Sequence, residues 1–123
     1  MKVLLSIKPE FTARIFDGSK RYEYRRVIHK DRTAKIAIVY ASSPVRQVIG
    51  EFEIEDILDG ELPVLWSKTE KYAGIDKQRF FAYFKNKSRG YAIKIGKTTL
   101  YCPPLLLSSL GIPKPPQSFR YLL

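Results

Sequence analysis

The spacing of apolar residues changes several times along this 123-residue chain, and each change marks an element. Val3 to Ile7 is a short apolar run that predicts a strand. Pro9 then opens a helix at the position where its missing N–H costs nothing. Phe11 and Ile15, four residues apart, face the core, and Gly18 is a left-handed stop. Arg21–Arg26 predicts a second strand. Its alternation puts Arg21, Glu23 and Arg25 on one face and Tyr22 and Tyr24 on the other. Lys35–Ala41 is almost continuously apolar, which fits a strand buried on both faces or a barrel wall, and Ser42-Ser43-Pro44 breaks it. Val45–Ile57 reads as a long strand. Phe52 and Ile54 alternate there with Glu51, Glu53 and Glu55, giving a wet acidic face.

The second half mixes helical and strand spacing. Pro63 starts a second helix carrying Leu65, Trp66, Thr69 and Tyr72, interrupted at Gly74. Asp76 is an N-cap for a third, whose apolar stripe is Phe80, Phe81 and Phe84. Tyr91, Ile93 and Ile95 alternate with Ala92 and Lys94 as a strand. Thr98–Cys102 suggests one more before Pro103-Pro104, and the segment from Pro115 to Leu122 an extended piece closing the sheet. The expected class is α+β, mainly β: a small mixed barrel of about six strands with short inserted helices, in one domain spanning residues 1–123. Barrel closure would remove exposed strand edges. An open α+β sandwich is the alternative.

Charge is unevenly distributed. The formal net charge is +10, yet residues 36–67 carry one basic residue, Arg46, against six acids. Both flanking segments are strongly basic. Such polarity suits an anionic partner, nucleic acid above all, although a basic domain without one has the same composition. One cysteine, Cys102, excludes an internal disulfide and a cysteine-rich zinc site. His29 is the only histidine and lies among Arg25, Arg26, Lys30, Asp31 and Arg32, which reads as a solvated turn rather than a catalytic base. No metal or cofactor is expected. The Met1–Ile7 segment is too short for a signal-peptide core and no window reaches membrane-spanning length, so the expected location is the cytoplasm, with no membrane partner.

The order of motifs carries further information. Ser6-Ile7-Lys8-Pro9 is followed by Gly18-Ser19-Lys20 with Glu23 and Arg25, then Tyr40-Ala41-Ser42-Ser43-Pro44 and Gly50-Glu51-Phe52. Later come Trp66, Ala73-Gly74-Ile75, Phe80 to Phe84, Gly90-Tyr91-Ala92-Ile93 and Pro115-Pro116-Gln117-Ser118-Phe119. This succession resembles the ASCH domain family of the PUA-like β-barrel superfamily. The resemblance implies a barrel with a cleft beside the inserted helices and a role around RNA. It places Lys20, Glu23 and Arg25 in that cleft, with Lys8, Ser42 and Ser43 near its rim. One branch of the family resembles an amidohydrolase of acylated cytidine that uses the lysine after the glycine with a threonine three residues on. Lys20 matches that lysine, whereas Glu23 stands where the threonine would be, and the further carboxylate could fall at Glu70 or Asp76. Another branch is linked to ribonuclease activity.

Two function classes stay open. A binding module would use Lys8, Lys20, Glu23, Arg25, Ser42, Ser43, Trp66 and Tyr91. Glu23 would accept from a base edge, cations would hold phosphate, and an aromatic ring would stack. Lys68, Lys71, Lys77, Arg79, Lys85, Lys87 and Arg89 could track an RNA backbone or form a solvated face. An enzyme acting on RNA or a nucleoside would use Lys20 as the reactive amine and Glu23 as the proton carrier. The unexceptional reading of Glu23 is an ion pair with Arg21 or Arg25, and of Ser42-Ser43 a turn bonding its own backbone. A regulatory component that contacts another protein through Leu105-Leu106-Leu107 is a third possibility.

Overall fold

A computed structural model describes residues 1–123. Strand β1 (Lys2–Ile7) leads through helix α1 (Pro9–Asp17) to β2 (Tyr22–Arg25), then β3 (Ile36–Ala41) and β4 (Gln47–Glu61). Helices α2 (Leu62–Thr69) and α3 (Lys77–Tyr83) follow, then β5 (Arg89–Leu105) and β6 (Phe119–Leu122). Single 3-10 turns sit at Glu70–Tyr72 and Leu107–Leu110. No helix is long and apolar enough to cross a membrane.

The six strands form one mixed sheet in the order β2-β5-β4-β3-β1-β6. Only β1 and β3 run parallel; β6 adds to the outside of β1 antiparallel, as the closing segment predicts. The expected barrel is not closed, because β2 and β6 are free edges with no ladder between them. The sheet curls, and a side chain spans the gap: Arg25 at the end of β2 donates to the carbonyls of Ser6 in β1 (3.3 Å) and Ser118 before β6 (2.5 Å). Two strands are longer than expected. β4 continues to Glu61, and the suspected pair of strands after Arg89 is a single 17-residue β5. Each supplies the other's partner along this length, through several register shifts, and that pairing outweighs the local turn signals.

α1 begins and ends where its sequence dictates. Pro9 is its first residue, and Gly18 closes it at φ +88°, its N–H returning to the Ile15 carbonyl. Ile15 and half-buried Phe11 join the main core of Val3, Leu5, Ile7, Val39, Phe52 and Ile93. At about 1.5–3 kcal/mol for each fully buried aliphatic or aromatic side chain, this layer fixes α1 on the sheet. A second core packs Tyr24, Leu62, Leu65, Trp66, Phe80 and Phe84 beneath α2 and α3. Asp76 caps α3 through its carboxylate, which accepts from the Arg79 N–H at 2.8 Å. The stripe of three phenylalanines is partly realised, with Phe80 and Phe84 buried and Phe81 half-buried. A third core of Leu4, Ile38, Tyr40, Val48 and Ile112 takes up Leu105 and Leu107 at its margin, leaving Leu106 exposed.

His29 does not sit in a solvated turn. Its side chain is buried, edge-on to Phe119 and Tyr121 at 6.2 and 6.3 Å between ring centroids, with neither ring nitrogen hydrogen-bonded. The strand that covers it lies ninety residues away in sequence, beyond the reach of local composition.

Candidate functional site

The gap between β2 and β1 is a cavity of about 470 Å³, within the range of small-ligand sites. Its wall comes from the end of β1 (Ser6, Ile7), from Lys8 and Phe11, and from Lys20, Glu23, Tyr24 and Arg25. Ile75, Arg79, Phe80, Ala82, Tyr83 and Gln117 complete it. Because β2 is an edge strand, residues from both of its faces reach this space.

Lys20 is the most constrained group. It is 2% exposed although it ends in an ammonium. The turn at Tyr72–Gly74 makes this possible. Arg21 donates its N–H to the Tyr72 carbonyl at 2.9 Å, and Lys20 Nζ donates to the Ala73 carbonyl at 2.7 Å. Gly74, at φ +65°, lies against the aliphatic stem of Lys20, where a Cβ would come within 2.5 Å of the lysine Cβ. Arg14 Nη1 donates to the Gly74 carbonyl at 2.7 Å and holds this turn against α1. The ammonium also stands over two rings, Tyr24 at 4.8 Å and Phe11 at 5.0 Å from their centroids. Burial pushes the Lys20 pKa down from 10.5 to about 8, opposed by the Glu23 charge and assisted by Arg14 and Arg79.

Glu23 and Arg25 are also buried, at 6% and 7% exposure. They pair on one strand face at 3.3 Å from Nη1 to Oε2, so the carboxylate is partly engaged by its neighbour. Oε1 accepts no protein hydrogen bond. Tyr24, between them in sequence, turns to the second core. Its hydroxyl meets Thr69 Oγ1 at 2.7 Å and its ring lies edge-on to Phe80 at 4.9 Å. Burial raises the phenol pKa, so it remains protonated across the neutral range. The site therefore offers one fixed ammonium, one carboxylate oxygen without a protein donor, the guanidinium groups of Arg25 and Arg79, and the rings of Phe11, Tyr24 and Tyr83.

Of the residues singled out in the sequence, the structure gathers Lys8, Lys20, Glu23 and Arg25 on this wall. Ser42 and Ser43 lie in the β3–β4 turn outside it. Trp66 belongs to the second core, and Tyr91 packs against the main core. Arg79 is the one member of the later basic group that reaches the cavity, while Arg89 pairs with Asp59 elsewhere. Tyr83 was legible in principle, since Arg79 and Tyr83 are four apart on the helix that Asp76 caps and so share a face. The place of Gln117 depends on β6 folding back to β1 and has no local signal.

Fold and site together define an α+β domain built around a curled mixed sheet, with a charged, aromatic-walled cavity where the sheet fails to close. The ASCH domain model matches residues 5–99, and the chain belongs to the ASCH domain family. It is similar to an ASCH domain-containing ribonuclease of Zymomonas mobilis, 32% identical over 91 residues, which cover 74% of this chain and 62% of that protein. It is also 28% identical over 98% of its length to the large ribosomal subunit protein uL22 of Ureaplasma parvum, and spans only 39% of that protein. Among solved structures, the crystal structure of ASCH from Zymomonas mobilis superposes with a TM-score of 0.91 at 29% identity, covering 99% of this chain and 87% of that one.

Proposed function

We propose that the cavity binds a single unpaired nucleotide of an RNA. The observation that carries this reading is the buried Glu23 carboxylate, with Oε1 free of protein donors beside Lys20 and Arg25 and between aromatic walls. A carboxylate in this setting accepts from the amino and imino edge of a base, and the rings of Phe11 and Tyr83 give that base a face to lie against. Lys8 stands at the exposed rim, where a backbone phosphate would follow. Edge reading of this kind needs a base out of its stack, which favours loops, bulges and single strands over duplex. The kinship with a ribonuclease agrees with an RNA ligand. In this reading residues 1–123 act as one recognition domain, and the seated nucleotide is contacted by the cavity wall rather than by Ser42, Ser43, Trp66 or Tyr91, which lie outside it.

The test is titration of a labelled single-stranded RNA against the wild-type protein and the variants Lys20→Met and Glu23→Gln, with circular dichroism to confirm folding. Each substitution is expected to weaken binding about tenfold, a size suited to one charge-assisted hydrogen bond. Unchanged affinity in both folded variants would falsify the reading.

A second reading, RNA cleavage in the same cavity, is favoured by one property. An amine with a pKa near 8 exchanges protons close to neutral pH, as a general acid or base requires. Chromatography of RNA after incubation separates the two readings: new fragments that vanish with Lys20→Met mark an enzyme, and intact RNA marks a binder. Acylated cytidine in the same assay tests the deacylase alternative, for which Glu23 occupies the place of a hydroxyl.

A further inference from the structure

The helices on either side of the cavity are bridged at its rim by one bidentate ion pair. Glu10, in the first turn of α1, faces Arg79, in the first turn of α3, through contacts of 3.0 Å (Nη1 to Oε2) and 2.6 Å (Nη2 to Oε1). Arg14 approaches the same carboxylate at 4.0 Å. The Arg79 guanidinium lies 5.1 Å from the centroid of the Phe11 ring, and both residues line the cavity. Both partners of the pair are about two-fifths exposed, so the guanidinium can change partner without unpacking a core. A guanidinium that grips a carboxylate with two parallel bonds presents the same fork to a phosphate.

Resting on the reading that the cavity takes an RNA nucleotide, we propose that Arg79 is the phosphate-binding residue at the cavity rim and that Glu10 occupies it as a built-in competing anion. The phosphodiester next to the seated base then enters by displacing the Glu10 carboxylate. Anions that cannot also fill the cavity gain too little to displace it. Glu10 thereby sets selectivity for a nucleotide within a chain over free phosphate. Removing Glu10 strengthens RNA binding only while Arg79 is present.

A double-mutant cycle tests this, with a fluorescein-labelled twelve-nucleotide single-stranded RNA followed by anisotropy at several salt concentrations. The variants are Glu10→Gln, Arg79→Gln and the two combined, with Lys20→Met as an independent report on the cavity. Glu10→Gln is expected to tighten binding about fivefold, and Arg79→Gln to weaken it about tenfold while lowering the salt slope by roughly one. In the Arg79→Gln background, Glu10→Gln should change affinity less than about twofold. Arg79→Lys should keep the salt slope yet lose most of the affinity, because a lysine cannot grip two oxygens in the same way. Equal tightening by Glu10→Gln with or without Arg79 would mean that Glu10 acts only as general negative charge, and would overturn the proposal. Additive behaviour together with a strong Lys20→Met effect leaves the cavity reading standing and removes the competing-anion role. A non-additive cycle with no Lys20→Met effect shows Glu10 and phosphate competing for Arg79 without a seated base, and overturns the cavity reading together with the selectivity drawn from it. Absence of RNA binding by the wild-type protein overturns both.

Discussion

The buried ammonium of Lys20 makes the stability of this fold depend on alkaline pH in a calculable way. Its pKa is about 8 in the folded chain, against an ordinary value of 10.5. Each pH unit of that difference is worth about 1.36 kcal/mol, so keeping the lysine charged in the fold costs about 3 kcal/mol relative to the unfolded chain. The folded pKa is the lower one, and between the two values the unfolded chain binds more protons than the folded one. Stability from this group therefore rises as pH increases from about 8 to 10.5, and the cost is fully present below about 8. Lys20→Met keeps the length of the stem and removes the charge. The informative quantity is the difference in unfolding free energy between wild type and variant, because every other titrating group cancels in it. Urea titrations at pH 7, 9 and 10.5 should show this difference moving in favour of the wild type by about 3 kcal/mol across the range. The loss of the bond to the Ala73 carbonyl is a constant offset and does not alter the slope. A difference that stays flat with pH would refute the claim that Lys20 is held charged in a dry setting.

The same protonation change predicts that RNA affinity falls between pH 7 and 9 for the wild type, while Lys20→Met shows no such fall; matched titrations at constant ionic strength decide it. Gly74→Ala should destabilise by about 2–3 kcal/mol in thermal melts, because its positive φ disfavours a side chain and the new Cβ meets the Lys20 stem. Neutralising Glu23 as Glu23→Gln leaves Arg25 buried without its carboxylate and should cost about 2–4 kcal/mol in urea titrations. His29 has its pKa lowered by burial and by the Arg32 charge, so the folded chain resists its protonation. Stability should fall as pH drops below about 6.5, the ordinary histidine value, and His29→Phe should flatten that part of the curve.

Much of the local architecture was legible because it rests on local rules. Pro9 and Gly18 bound α1, Asp76 caps α3, and the apolar run at Lys35–Ala41 becomes an interior strand. A period of two put Glu23 and Arg25 on one strand face, and it was the resemblance to the ASCH family that added Lys20, two residues past the Gly18 stop, to the same cleft. What failed depends on partners far away in sequence. The length of β5 follows from its pairing with β4, the burial of His29 from β6, and the place of Gln117 from the same strand. Barrel closure was inferred from strand number, but closure needs a ladder between the two edge strands. Here that space is taken by Arg25 and the cavity. Trp66 and Tyr91 illustrate a different difficulty, since an aromatic residue on an amphipathic element has the same local pattern whether it faces a core or a cleft.

The open edge and the charged cavity have one cause. Closing the sheet by backbone pairing would bring β2 against the β1–β6 edge and leave no room for a ligand. The chain instead joins these edges through the Arg25 side chain, which reaches the Ser6 and Ser118 carbonyls and Glu23 together. A guanidinium carries five N–H donors in a planar fork, so it can satisfy three acceptors at once where a lysine could not hold the same geometry. This makes Arg25 a structural strut that also supplies charge to the cavity, whereas Lys20, spending one N–H on the Ala73 carbonyl, keeps donors for a ligand. The two cations should therefore separate on substitution. Arg25→Lys is expected to lower stability by about 2 kcal/mol through lost struts, with the cavity's charge conserved. Lys20→Met is expected to change binding with the fold intact. Urea titration and RNA anisotropy on the same two proteins measure both axes, and a stability loss in Lys20→Met as large as that in Arg25→Lys would overturn the division of roles.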